Sequence, residues 1–181
     1  MASPARSLKL DPITGDEDLR DLTHPRHALS QFYRAFNTQD VPMLEENWSA
    51  TEDVSMSEPI AGVTRGWPEI RRAYEHIFSG PARVSLELHN YSVRISGDLF
   101  YAEGRELARH AGPGLHFETF LRVTRIFRHD GHRWRQVHCH GSIDEGRQLA
   151  RYVSILDAPA LADQRKSPKS PLMFMPPPPL I

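Results

Sequence analysis

The strongest constraint on this chain is a change of hydrophobic period near Gly80-Pro81. Before it, apolar residues recur at helical spacing; after it, they alternate. Thr23 is placed to cap a helix that Pro25 opens, with Leu29, Phe32, Tyr33 and Phe36 on one face. Asp40 caps a second, short helix with Pro42 in its first turn. A third begins near Gly66-Trp67-Pro68 and buries Ile70, Ala73, Tyr74, Ile77 and Phe78. Beyond Gly80, Val84, Leu86 and Leu88 alternate, and Tyr91, Val93 and Ile95 continue on the opposite parity. A slip of one residue near His89-Asn90 marks a β-bulge, which bends a long strand. Turns at Ser96-Gly97-Asp98, Gly112-Pro113-Gly114 and Asp130-Gly131 separate this strand from three more: Leu99 to about Arg109, Leu115 to Arg128, and Arg133 to Ile143. A short strand fits near Asp53 to Ser57.

The expectation is therefore an α+β fold. Three N-terminal helices pack on a curved, mostly antiparallel sheet. Ser142 to Glu145 reads as a capping box for a C-terminal helix carrying Leu149, Tyr152, Val153 and Leu156. The chain divides into a flexible N-terminal arm (1–22), a domain (23–143), the C-terminal helix (144–157) and a tail (158–181) containing four consecutive prolines, which exclude helix. The strands are mixed on both faces, so the face away from the helices is expected to pack on a second copy in a homodimer.

With 181 residues, one domain is the natural size. A net charge of -1 carries no nucleic-acid footprint. Cys139 is the sole cysteine, which excludes an internal disulfide and a cysteine zinc cluster. No apolar run reaches membrane-spanning length, and no secretory h-region opens the chain, so the expected location is cytoplasmic.

The run Phe32-Tyr33-Arg34-Ala35-Phe36-Asn37-Thr38-Gln39-Asp40 resembles the end of the first helix in SnoaL-like proteins, which share the nuclear transport factor 2 fold; so does Gly62 to Ile70. Thr124-Arg125-Ile126-Phe127, with Asp130-Gly131, Trp134, Val137-His138-Cys139-His140 and Ser142, is similar to the end of the association (hub) domain of calcium/calmodulin-dependent protein kinase II. The resemblance spans about Thr23 to Ile143. It implies a cone-shaped, usually dimeric fold that often holds a small molecule, and it does not imply one activity.

Ketosteroid isomerase, of the same fold, uses a carboxylate before a proline as its general base, and Glu58-Pro59 occupies the matching place. A carboxylate in an apolar cone suits proton transfer beside a carbonyl. The family's oxyanion-holding tyrosine falls near Phe32 and its assisting acid near Thr124, so steroid isomerisation is not expected. Resemblance to the hub domain matches Arg105 and Arg125 to two arginines that hold small carboxylates there; the third falls at Gly141.

Read from the residues, Phe117, Thr119, Leu121, Val123, Arg125 and Phe127 share one face of the third long strand. A guanidinium drawn into an apolar row requires an anion or several acceptors. That anion is either a bound acid or an internal carboxylate, Glu103 or Glu58. Trp48, Met56, Trp67 and Tyr74 serve as ligand walls or as core, with Trp67 the foremost ligand contact. Cys139 reads as a small core residue.

His138 and His140 alternate on one face, but Val137, Cys139 and Gly141 take the cavity side. The histidines are therefore assigned, with Trp134, to a subunit interface and not to a metal. The functional expectation is a pocket for a small organic acid or a polyketide- or steroid-like metabolite, with no cofactor. Two alternatives stay open: an isomerase, cyclase or dehydratase using Glu58, and a homodimeric interaction module.

Overall fold

Pro25 opens α1 (Pro25–Thr38) at the position where a missing N–H costs nothing. The cap is His24, one residue later than expected: its Nδ1 accepts from the Arg26 N–H at 3.2 Å. Gln39 ends the helix in the left-handed conformation. Asp40 caps α2 (Val41–Asn47) by accepting from Met43 N–H at 2.9 Å. The computed structural model describes residues 10–59, 62–80, 82–112 and 115–144. The expected C-terminal helix and the tail lie outside them.

The third helix, α3 (Trp67–Phe78), follows a hairpin of two short strands, β1 (Ser55–Glu58) and β2 (Gly62–Arg65). The first matches the short strand expected near Asp53 to Ser57, whereas β2 was not expected, since its exposed Gly-Val-Thr-Arg carries no apolar alternation. Four long strands follow: β3 (Arg83–Ser96), β4 (Leu99–Gly112), β5 (Leu115–His129) and β6 (Trp134–Ile143). All six form one sheet of order β2-β1-β6-β5-β4-β3, antiparallel except where β1 runs parallel to β6. The expected bulge is present: the β3–β4 register shifts between His89 and Ser92, and Asn90 takes φ 50°.

The helices cover one face of this bent sheet, giving the cone-shaped α+β architecture. Phe100 and Phe127 stack at 4.6 Å with Trp134 edge-on at 4.9 Å, closing one end of the core. Phe32, Phe36, Tyr74 and Trp48 fill the space under the helices.

The segment before α1, expected to be a flexible arm, docks on the sheet at Ile13. Ile13 is fully buried and exchanges both backbone hydrogen bonds with Leu88 on the edge of β3, at 3.0 and 2.8 Å. Gly15, at φ +95°, lies so close to α1 that a Cβ would sit 2.5 Å from Arg34 N. Arg34 then donates to the carbonyls of Gly15, at 2.6 Å, and Glu17. Asn37 ties the same region to the sheet: its amide donates to Thr14 O and Leu86 O and its oxygen accepts from Leu86 N–H.

Candidate functional site

Because paired residues in an antiparallel ladder share a face, the β4–β5 register decides what lines the cone. Phe127, Arg125, Val123, Leu121, Thr119 and Phe117 pair with Phe100, Ala102, Gly104, Glu106, Ala108 and His110. Between this face and α1 and α3 lies a cavity of about 150 Å³. Phe32, Phe36, Tyr74 and Ile77 wall its helical side; Met56, Glu58 and Cys139 come from the parallel β1–β6 pair; Glu106, His110 and Arg125 supply its charge and polarity.

Arg125 is inside, as its place in an apolar row requires, and is 3% exposed. Its partner is Glu106, 2.7 Å from Nη2 and itself 5% exposed, and neither Glu103 nor Glu58. The other nitrogens are used as well: Nε donates to the Tyr33 hydroxyl at 3.2 Å and Nη1 to Gln136 Oε1 at 3.3 Å. Tyr33 in turn donates to Glu106 Oε2 at 2.8 Å. Phe32 lies under the guanidinium, its ring centroid 3.6 Å from Cζ, so the residue lacking a hydroxyl contributes its π face. This enclosed network satisfies a buried cation without any ligand.

Arg105 is not part of it. Its pairing with Arg122 sets it on the outer face, half-exposed, where it donates to Asp144 at 2.5 Å and lies over Phe120. Glu103 is also outside, accepting from Ser92 at 3.2 Å. Arg105 and Glu103 share a groove on that outer face with Arg122, and Arg125 does not reach it. Thr124, paired with Glu103 and His140, belongs to the outer face too.

Glu58, the last residue of β1, lines the cavity and has no hydrogen bond or ion pair among the described residues. Burial raises its pKa above 4.5; the positive end of a protonated His76 on α3 would oppose that shift. His110 lies flat on Phe117, ring centroids 4.1 Å apart, and burial pushes its pKa down to about 4, so it is neutral at physiological pH. Burial raises the Tyr74 hydroxyl and lifts the Cys139 thiol to about 11, so both stay protonated. Cys139 is therefore a core thiol without nucleophilic character.

Of the four proposed wall residues, Met56 and Tyr74 line the cavity; Trp48 and Trp67 stack on each other at 6.4 Å within the core and do not. Trp134 is likewise in the chain's own core, 7% exposed, donating from Nε1 to Thr23 O at 2.7 Å. Its strand parity differs from that of His138 because the β5–β6 register shifts between Ile126 and Phe127. His138 and His140 are on the outer face, where His138 Nδ1 is 2.8 Å from Ser55 Oγ. Among the described residues no group of three potential ligands converges on a metal position, and no helix is long and apolar enough to cross a membrane.

Glu106 and Gln136 are functional residues that one strand alone does not reveal, and Tyr33, on the helix face beside Phe32, joins them. Their signal was the need of Arg125 for acceptors; the register that supplies them was not readable from one strand.

The architecture matches many solved structures. One is a provisionally named dehydratase of the nuclear transport factor 2-like family from Streptomyces avermitilis, with 23% identity over 66% of this chain and 92% of that one and a TM-score of 0.61. Another is a nuclear transport factor 2-like protein of unknown function from Pseudomonas putida, with 22% identity over 65% and 82% and a TM-score of 0.55. A third is the calcium/calmodulin-dependent protein kinase II hub of S. rosetta, with 19% identity over 64% and 91% and a TM-score of 0.56. At these identities the likeness is one of fold. No curated protein sequence matches the chain. The SnoaL-like domain family matches residues 26–144, the span that builds the helices, the sheet and the cavity between them, and the chain belongs to that family.

Proposed function

We propose that the cone holds a small, mainly apolar metabolite and that Glu58 moves a proton to or from it, as isomerases, cyclases and dehydratases require. One observation carries this reading: Glu58 lines the cavity without an ionic partner among the described residues, and burial raises its pKa. A carboxyl so placed exchanges a proton with a bound carbon or oxygen acid more readily than a solvated one. The neutral His110 and the hydroxyl of Tyr74 add polar atoms to the same wall set. The name of the Streptomyces relative, a dehydratase, is of the same reaction class. An organic acid is a poorer fit, since Glu106 already answers the charge of Arg125.

The test is proton exchange on a model compound. A cyclic ketone incubated with the protein in D₂O is expected to take up deuterium beside its carbonyl faster than with Glu58→Gln. Equal rates for the two proteins, with the ketone shown to bind, would refute the role of Glu58.

We also propose that the outer sheet face, with Tyr101, His138 and His140, pairs with a second copy. Tyr101 is 41% exposed there, and hub domains share the fold. Light scattering of Tyr101→Glu is expected to show a smaller species than the unmodified chain; an unchanged mass counts against this face.

A further inference from the structure

The Arg125–Glu106 pair does more than neutralise a buried charge. Glu106 accepts from both Tyr33 and Arg125 on the same oxygen, Oε2. Its other oxygen, Oε1, has no partner among the described residues, although Glu106 lines the cavity. A carboxylate oxygen accepts only, so an unfilled one on a cavity wall requires a donor from whatever enters. On the cation's side the arrangement is the opposite. Arg125 already directs Nε, Nη1 and Nη2 to Tyr33, Gln136 and Glu106, and its flat face rests on Phe32. Among the described residues no unbalanced positive charge lines the cavity: the pair cancels, and His110 is neutral.

We propose that Glu106 is the specificity-determining residue of this cavity and selects a ligand whose polar end is a neutral hydrogen-bond donor, a hydroxyl on an apolar ring-sized body, over a carboxylate. This rests on the reading of the cavity as a ligand site. The size limit follows from volume: a dry apolar cavity of about 150 Å³ accepts a benzene ring, and the cavity here is of that volume. The apolar body meets Phe36, Met56, Ile77, Val84 and Leu86, while the donor is held by Glu106 Oε1. Arg125 and Tyr33 act through Glu106: by occupying Oε2, they leave Oε1 as the oxygen free to accept. They are positioning residues.

Phenol, toluene and benzoate share a ring and differ only in the polar end. Binding of each to the full chain is followed by titration, reading the NMR shifts of the Cys139 and Gly141 amides. Phenol is expected to bind about tenfold or more tightly than toluene, the worth of a hydrogen bond to a charged acceptor, with benzoate the weakest. Because a single change at Glu106 strands a buried guanidinium, the comparison variant is Arg125→Met combined with Glu106→Leu. There the phenol and toluene affinities are expected to converge to within about twofold, with toluene still bound. A merely structural role would weaken all three probes together. Phenol binding no tighter than toluene in the unmodified chain, or a phenol advantage that survives in the double variant, overturns the assignment while leaving the cavity as a ligand site. Failure of all three probes to bind overturns the ligand site itself, and the role of Glu106 with it.

Discussion

Replacing Arg125 by methionine keeps much of the side-chain volume and removes the charge. Glu106, 5% exposed, is then left as a buried carboxylate with one donor, Tyr33, in place of two. Removing one member of such a pair costs about 3–5 kcal/mol. Full burial on both sides, 3% and 6% by side chain, justifies using that range without a discount for solvent. At about 3 °C per kcal/mol for a chain of this size, the melting temperature is expected to fall by roughly 10–15 °C. Adding Glu106→Leu removes the stranded charge, so the double variant is expected to lie only about 1–2 kcal/mol below the parent. That residue reflects the lost partners of Tyr33 and Gln136. The assay is urea unfolding followed by far-ultraviolet circular dichroism on all four members of the cycle. A single variant that loses less than about 1 kcal/mol, or a double variant as unstable as Arg125→Met alone, would refute the argument that the pair is a mutually dependent buried ion pair.

Three further outcomes follow from single sites. Glu58→Gln is expected to be more stable than the parent at neutral pH. A raised folded pKa gives stability that is complete below the unfolded value near 4.5 and lost as pH rises through the folded one, so urea midpoints should converge toward pH 4 and separate above it. Gly15→Ala places a Cβ 2.5 Å from Arg34 N at a φ of +95°, and is expected to cost about 1–3 kcal/mol and speed hydrogen exchange at Ile13 and Leu88. Trp134→Phe loses the bond to Thr23 O, about 1 kcal/mol, and is expected to leave the oligomeric state unchanged in sedimentation, as a core residue should.

The helices and long strands were legible because each imposes one period on residues with clear polarity. The bulge showed itself as a parity change from Leu88 to Tyr91, and Arg125 as a charge in an otherwise apolar row. What failed was β4. Both of its parities carry apolar side chains, Phe100, Ala102 and Ala108 against Leu99, Tyr101 and Leu107, so alternation alone does not say which faces inward. Pairing with β5 brings Glu106 inside and sets Tyr101, Glu103 and Arg105 on the outer face. Trp134 was misplaced by a register shift between β5 and β6, a property of two strands and invisible in either alone. β2 is short and exposed, and forms because β1 offers it a ladder, not because its side chains demand one.

A strand at the end of a sheet offers unpaired amides that invite addition of foreign chain. On β3 those groups are already taken at two alternate residues: the Asn37 side-chain amide occupies both polar groups of Leu86, and Ile13 those of Leu88. A carboxamide thus mimics a peptide unit and, with a single residue of leading chain, blunts the middle of that margin. Growth of the sheet by edge-to-edge addition is blocked there, which directs any self-association toward the broad face of the sheet or the opposite border at β2.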